Sequence, residues 1–132
     1  MTDAKYGITK SLGKVDFDEA VGRVTEALQG EGFGVLTEID IKATLKKKLD
    51  VDFRSYKILG ACNPPLALKA LTEELMIGLL LPCNVVVFAE DDGTVTASAV
   101  SPEEMLKVVG RPEVASLADQ VGAKLTKAFE RL

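Results

Sequence analysis

The chain has 132 residues, 47% of them hydrophobic, the length of one ordinary domain. Such a domain buries about two-thirds of its unfolded surface and needs no metal or disulfide to hold it together. Twenty acidic against sixteen basic residues give a net charge of −4. That balance excludes the basic stripe that phosphate binding demands, so neither nucleic acid nor an anionic membrane is an expected partner. There is no histidine, which removes the commonest general acid–base and metal ligand. With no tryptophan and 5% aromatics, a base-stacking platform is also excluded.

The longest apolar stretch, Met76 to Pro82, falls far short of the roughly 20 residues of a membrane span. The N-terminus, Met1 to Lys5, has no apolar signal core. Two cysteines in a chain with a full core do not make a secreted disulfide framework. The expected compartment is a reducing, cytoplasmic one.

Alternation of Tyr6, Ile8 and Leu12 with Gly7, Thr9 and Ser11 predicts a first strand at about 4–13. Asp16, with Glu19 three residues on, resembles a capping box, and Phe17, Val21, Val24 and Leu28 form one helical stripe. Gly30 and Gly32 stop that helix. Phe33, Val35, Thr37 and Ile39 read as a second strand. Asp40 then caps a short helix with Ile41, Leu45 and Leu49 expected inside. A third strand is expected at about 54–62, followed by a helix that Asn63-Pro64-Pro65 opens and that runs to about Leu75. The apolar run Met76 to Leu81 reads as core or interface, ended by Pro82. Val85-Val86-Val87-Phe88 is apolar throughout and predicts a central strand. Asp91-Asp92-Gly93 is a hairpin turn. The next strand, Thr94 to Val100, places Val95, Ala97 and Ala99 inward. Ser101-Pro102 starts a helical turn, and Pro112 starts a last helix with the stripe Val114, Leu117, Val121, Leu125, Ala128 and Phe129. The whole is a single α+β domain over residues 1–132. Five strands and a late hairpin predict one largely antiparallel sheet, helices on one face and the C-terminal helix across it.

Two related motifs carry the unusual chemistry: Gly60-Ala61-Cys62-Asn63-Pro64 and Leu81-Pro82-Cys83-Asn84. Cys62 sits before a helix N-terminus, whose partial positive charge favours a thiolate, and Asn63 is placed to cap that helix. Strand parity puts Cys62 with Tyr56 and Ile58, and Cys83 with Val85, Val87 and Ala89; if the two strands are neighbours, the sulfurs come together. Four readings fit. The cysteines are buried small hydrophobes, with Asn and Pro serving as cap and turn. They are a redox thiol pair. They are a soft-metal site such as copper(I), although two thiolates are too few for closed zinc. Or Asn63 and Asn84 line a small-ligand pocket beside them.

The other candidates are weaker. Lys42, Lys46, Lys47 and Lys48 form a solvated helix face, Asp91 and Asp92 belong to a turn, and no spacing pairs Glu73, Glu74, Glu103 and Glu104. Gly30, Gly32 and Gly34 follow a helix and precede a strand, the reverse of a phosphate-binding loop.

With Tyr56 to Pro64, Ile77 to Val87, the hairpin and Ser101-Pro102 laid out, the chain resembles the bacterial and archaeal family known as domain of unknown function 302. The resemblance runs from Tyr6 to the last helix. It implies a small α+β fold whose curved antiparallel sheet packs on a long C-terminal helix, often as a homodimer. It implies no reaction; the family's motif cysteines match Cys62 and Cys83, and its Asn-Pro matches Asn63 and Pro64. The resulting expectation is a homodimeric, non-enzymatic small-ligand or interaction domain. No cofactor or catalytic residue is assigned, and the pocket lies near Cys62, Asn63, Pro64, Pro82, Cys83 and Asn84. The alternative is a thiol-based redox or soft-metal-handling protein using Cys62 and Cys83.

Overall fold

Local sequence decides where each helix starts. The Asp16 carboxylate accepts the Glu19 N–H at 3.1 Å and opens α1, Phe17–Gln29. Asp40 does the same for α2, Ile41–Leu49, through Ala43 N–H at 2.9 Å. These side chains satisfy amide groups that a helix N-terminus leaves without a partner. Prolines that need no donor stand in the first turns of α3 (Pro64–Glu73), α4 (Pro102–Leu106) and α5 (Pro112–Glu130). The strands are β1 (Gly7–Gly13), β2 (Gly34–Asp40), β3 (Tyr56–Cys62), β4 (Cys83–Ala89) and β5 (Val95–Val100). A 3₁₀ segment, Leu75–Leu80, separates α3 from β4.

The computed structural model describes residues 1–132. Its five strands form one sheet in the order β1-β5-β4-β3-β2, with every neighbouring pair antiparallel. β4, which carries the apolar run Val85–Phe88, is the middle strand, as that run predicts. β1 and β2 are the two edges, so α1 must carry the chain from one side of the sheet to the other. Its stripe of Ala20, Val21, Val24, Ala27 and Leu28 is buried there. With Leu125, Ala128 and Phe129 of α5 it covers Leu59, Ala61, Val85, Val87, Val95, Ala97 and Ala99. Each fully buried valine or leucine in this layer stabilises the fold by about 1.5–3 kcal/mol. A second core lies at one end, where Leu66 and Ala70 of α3, Ile77, Leu106 of α4 and Val114, Leu117 and Ala118 of α5 meet. Val121 of α5 touches both cores.

Several elements depart from expectation. The first strand begins at Gly7, because Gly7 N–H closes a turn on Ala4 O and Thr2 is tied to Glu90. The third begins at Tyr56; Arg54 instead reaches Ala89 O and Asp91. α2 buries no residue, and Leu49 is exposed. Within Leu75–Leu80 Ile77 is buried and Leu80 packs half-buried against the second core, while Leu75, Met76 and Leu79 face outward. No helix is long and apolar enough to cross a membrane.

Candidate functional site

The two cysteine motifs converge where β3 and β4 pair. Ala61 stands opposite Cys83 and Gly60 opposite Asn84, so the Gly60–Cys62 segment runs beside Pro82–Asn84. On the other flank β2 bulges between Val35 and Thr37, which leaves Leu36 outside the ladder and sets Thr37 opposite Gly60. Gly60 is the only residue type that fits there. A Cβ built on it would lie 2.2 Å from Thr37 Oγ1 and 2.8 Å from Pro82 Cγ. The Leu81–Pro82 peptide is cis. After Cys62, Asn63 caps α3: its Oδ1 accepts the Leu66 N–H at 3.3 Å, and its Nδ2 donates to Glu31 O at 3.5 Å. Asn63 thereby ties the loop after α1 to the start of α3.

Beneath this junction lies a cavity of about 390 Å³. Its walls come from α3, the 3₁₀ segment, α4 and α5, through residues such as Leu66, Ala70, Ile77, Leu106, Leu117 and Val121. Its sheet end is formed by Thr37, Ala61, Cys62, Asn63, Pro82 and Cys83. No charged side chain lines it, and the polar side chains, Thr37, Asn63 and the two thiols, gather at that end. The volume falls within the range of small-molecule sites, and the lining has their usual character, apolar walls with a few convergent polar groups.

The two thiols border the same cavity in different states of burial. Both are free; Cys83 is buried and Cys62 half-buried. Cys83 lies on the helix-covered side with Val85 and Val87, while Cys62 is the last residue of β3. Burial pushes the Cys83 thiol up to about 11, and the neighbouring Cys62 adds to the rise. At neutral pH Cys83 is therefore a protonated, weakly reactive thiol, since the thiolate is the nucleophile. No group of three or more cysteines, aspartates or glutamates gathers in an arrangement that could hold a metal ion.

Of the six residues singled out in sequence, Cys62, Asn63, Pro82 and Cys83 line this cavity. Pro64 is exposed in the first turn of α3 and does not. Asn84 points the other way, into a separate groove on the far face of the sheet with Tyr56, Val86 and Ser98. The reason is alternation along β4, which turns Asn84 to the face of the sheet opposite Cys83. Thr37 and Leu36 at the bulge, and the walls from α3 and α5, escaped notice in sequence. Gly60 was the available signal, because a glycine inside a strand marks a close approach. A larger hollow of about 690 Å³ lies between α3 and α5, but Lys69, Glu73, Glu113 and Gln120 make it a wide polar surface.

Sheet and helical layer together define a two-layer α+β domain with an apolar cavity at one end of the sheet, beneath the helices. The chain belongs to the family described as domain of unknown function DUF302, whose model matches residues 8–132. It is similar to the crystal structure of an uncharacterized conserved DUF302 protein from Bacillus stearothermophilus, with a TM-score of 0.88 and 30% identity. That likeness covers 97% of this chain and 98% of the other. No functionally curated protein matches the chain.

Proposed function

We propose that the chain is a non-enzymatic binding domain that takes a small, uncharged and mainly apolar ligand into the cavity below Cys62 and Cys83. The observation that carries this reading is the preformed space of about 390 Å³ with no charged lining group and its polar side chains at one end. An ionised ligand would lose its hydration there without gaining a counter-charge, a cost of several kcal/mol. A neutral molecule with one hydroxyl, carbonyl or amide end fits better. Its apolar body lies among Leu66, Ile77, Leu117 and Val121, and its polar end meets Thr37 and Asn63.

Titration with the fluorescent dye anilinonaphthalene sulfonamide, a neutral probe, tests this. Saturable one-site binding is expected for the wild-type chain. Ala70→Phe, which fills the space from α3, is expected to abolish it while leaving the far-UV circular dichroism unchanged. A folded Ala70→Phe variant that binds the probe as the wild type does would remove the cavity from consideration.

A second reading, thiol-based redox or soft-metal handling through Cys62 and Cys83, draws support from the two free thiols bordering one cavity. The high proton affinity of Cys83 counts against it as a nucleophile. Thiol titration with and without reductant, alongside metal analysis, separates the two readings. Inert thiols and no bound metal eliminate the second.

A further inference from the structure

The polar end of the cavity has little hydrogen bonding left to offer. Asn63 holds the Leu66 N–H on its Oδ1 and the Glu31 carbonyl on its Nδ2. The first two residues of α3 are prolines, and the next amides are occupied, that of Leu66 by Asn63 Oδ1 and that of Ala67 by Asn63 O. Beyond the second Nδ2 hydrogen of Asn63, what remains is the Thr37 hydroxyl and two thiols. The thiols stand on neighbouring strands, Cys62 as the last residue of β3 and Cys83 as the first of β4. Cys83 is 8% exposed, borders the cavity and makes no hydrogen bond. Cys62 borders the same space and is only half-buried.

A deprotonated thiol is a soft nucleophile, and the two cysteines differ in how readily they become one. Burial holds Cys83 in its protonated form. Cys62 is more open to water, which solvates a thiolate. It also precedes α3, a helix of 10 residues whose N-terminal dipole favours negative charge. The lining then selects among electrophiles. With no charged side chain it rejects ionised ones. A displacement reaction would release an anion into apolar surroundings, where it loses hydration without gaining a counter-charge. Addition to a polarised carbon–carbon double bond releases nothing.

We propose that Cys62 is a covalent capture site for apolar α,β-unsaturated carbonyl compounds whose chain lies in the cavity; the inference rests on that cavity being a binding site. The Cys62 thiol gives its proton to water. The sulfur electron pair then forms a bond to the β-carbon, and the π pair moves through the α-carbon onto the carbonyl oxygen. The resulting enolate takes a proton from water at the α-carbon. The product is a saturated carbonyl compound bonded to sulfur, and no oxidant, reductant or leaving group takes part. The Thr37 hydroxyl and the Cys83 S–H, at the same end of the cavity, are donors available to the oxygen while it carries charge. Burial of the chain among Leu66, Ile77 and Leu117 holds the double bond against the sulfur.

Intact-mass spectrometry with a linear nonenone tests it, with methyl vinyl ketone as the tailless control. The wild type is expected to gain the whole mass of one nonenone, mapped by peptide analysis to Cys62. Measured against the rate of each enone with N-acetylcysteine, nonenone capture is expected to be faster on the order of a hundredfold and to saturate with concentration. Methyl vinyl ketone is expected to show neither effect. Excess anilinonaphthalene sulfonamide should slow nonenone capture by the wild type, a comparison that requires no variant to fold. Folded Ala70→Phe should lose the enhancement and keep the methyl vinyl ketone rate. An adduct that forms as fast in Cys62→Ser, a rate no higher than that of N-acetylcysteine, or an enhancement untouched by the dye overturns the inference. One-site dye binding without capture overturns the capture alone; absence of both overturns the cavity reading with it.

Discussion

Adding one methyl group at Gly60 is expected to be among the most damaging small changes in this chain. The new Cβ would meet Thr37 Oγ1 at 2.2 Å and Pro82 Cγ at 2.8 Å, both far inside van der Waals contact. Thr37 is exposed and relieves its clash by rotating about χ1. Pro82 has no such freedom, because its ring is fixed to the backbone that leads into Cys83. The second clash must move backbone, and overpacking of that kind costs about 1–3 kcal/mol. We expect Gly60→Ala to lose about 2 kcal/mol, which at a urea dependence near 2 kcal/mol/M lowers the unfolding midpoint by about 1 M. Thr37→Ala alone should be nearly neutral. Combined with Gly60→Ala it should recover part of the loss, since the two side chains are in direct conflict. A Gly60→Ala midpoint within about 0.2 M of wild type, or a double variant no more stable than Gly60→Ala, would refute the reasoning.

Three further outcomes are expected. The Glu90 carboxylate accepts hydrogen bonds from Thr96 Oγ1, Thr2 N–H and Thr2 Oγ1, each at 2.7 Å, which hold it down to about 2. Its contribution to stability is whole above the unfolded value near 4.3 and is lost as pH falls toward 2; acid titration of the urea midpoint should show this loss, and Glu90→Gln should flatten it. Cys83 has the opposite sign: its raised value means stability present below about pH 8.5 that is lost as pH rises toward 11. In a Cys62→Ser background, iodoacetamide should label native Cys83 at pH 8 on the order of a hundredfold more slowly than the urea-unfolded chain. Asn63→Ala removes the α3 cap and should cost about 1 kcal/mol in the same denaturation assay; an unchanged midpoint would show that the cap contributes nothing.

Sequence spoke most clearly where one physical signal dominated. Asp16 and Asn63 announced their helices, and the Val85–Phe88 run announced the middle strand. The final stripe from Val114 to Phe129 named the residues of α5 that pack inward, with Val121 only half-buried. The candidate site was only half legible. The likeness between the two cysteine motifs directed attention to the right junction. It also grouped Asn84 with Cys83, although alternation along β4 separates them. The cavity walls depend on how α3, α4 and α5 meet, and no local pattern encodes that meeting. The run Met76–Leu81, read as core or interface, is split for a related reason: Ile77 is buried and Leu80 and Leu81 pack against the second core, while the 3₁₀ turn leaves Met76 and Leu79 exposed.

The position of β1 has a consequence for biosynthesis. Its sole neighbour is β5, with Gly7 aligned to Val100. While the ribosome is still translating, β2, β3 and β4 emerge as a consecutive meander able to zip together. The first strand of the sheet must wait for the last one before it finds a ladder. Such distant closure slows folding and prolongs the interval in which a nascent edge is open to chaperones or to pairing with the wrong chain.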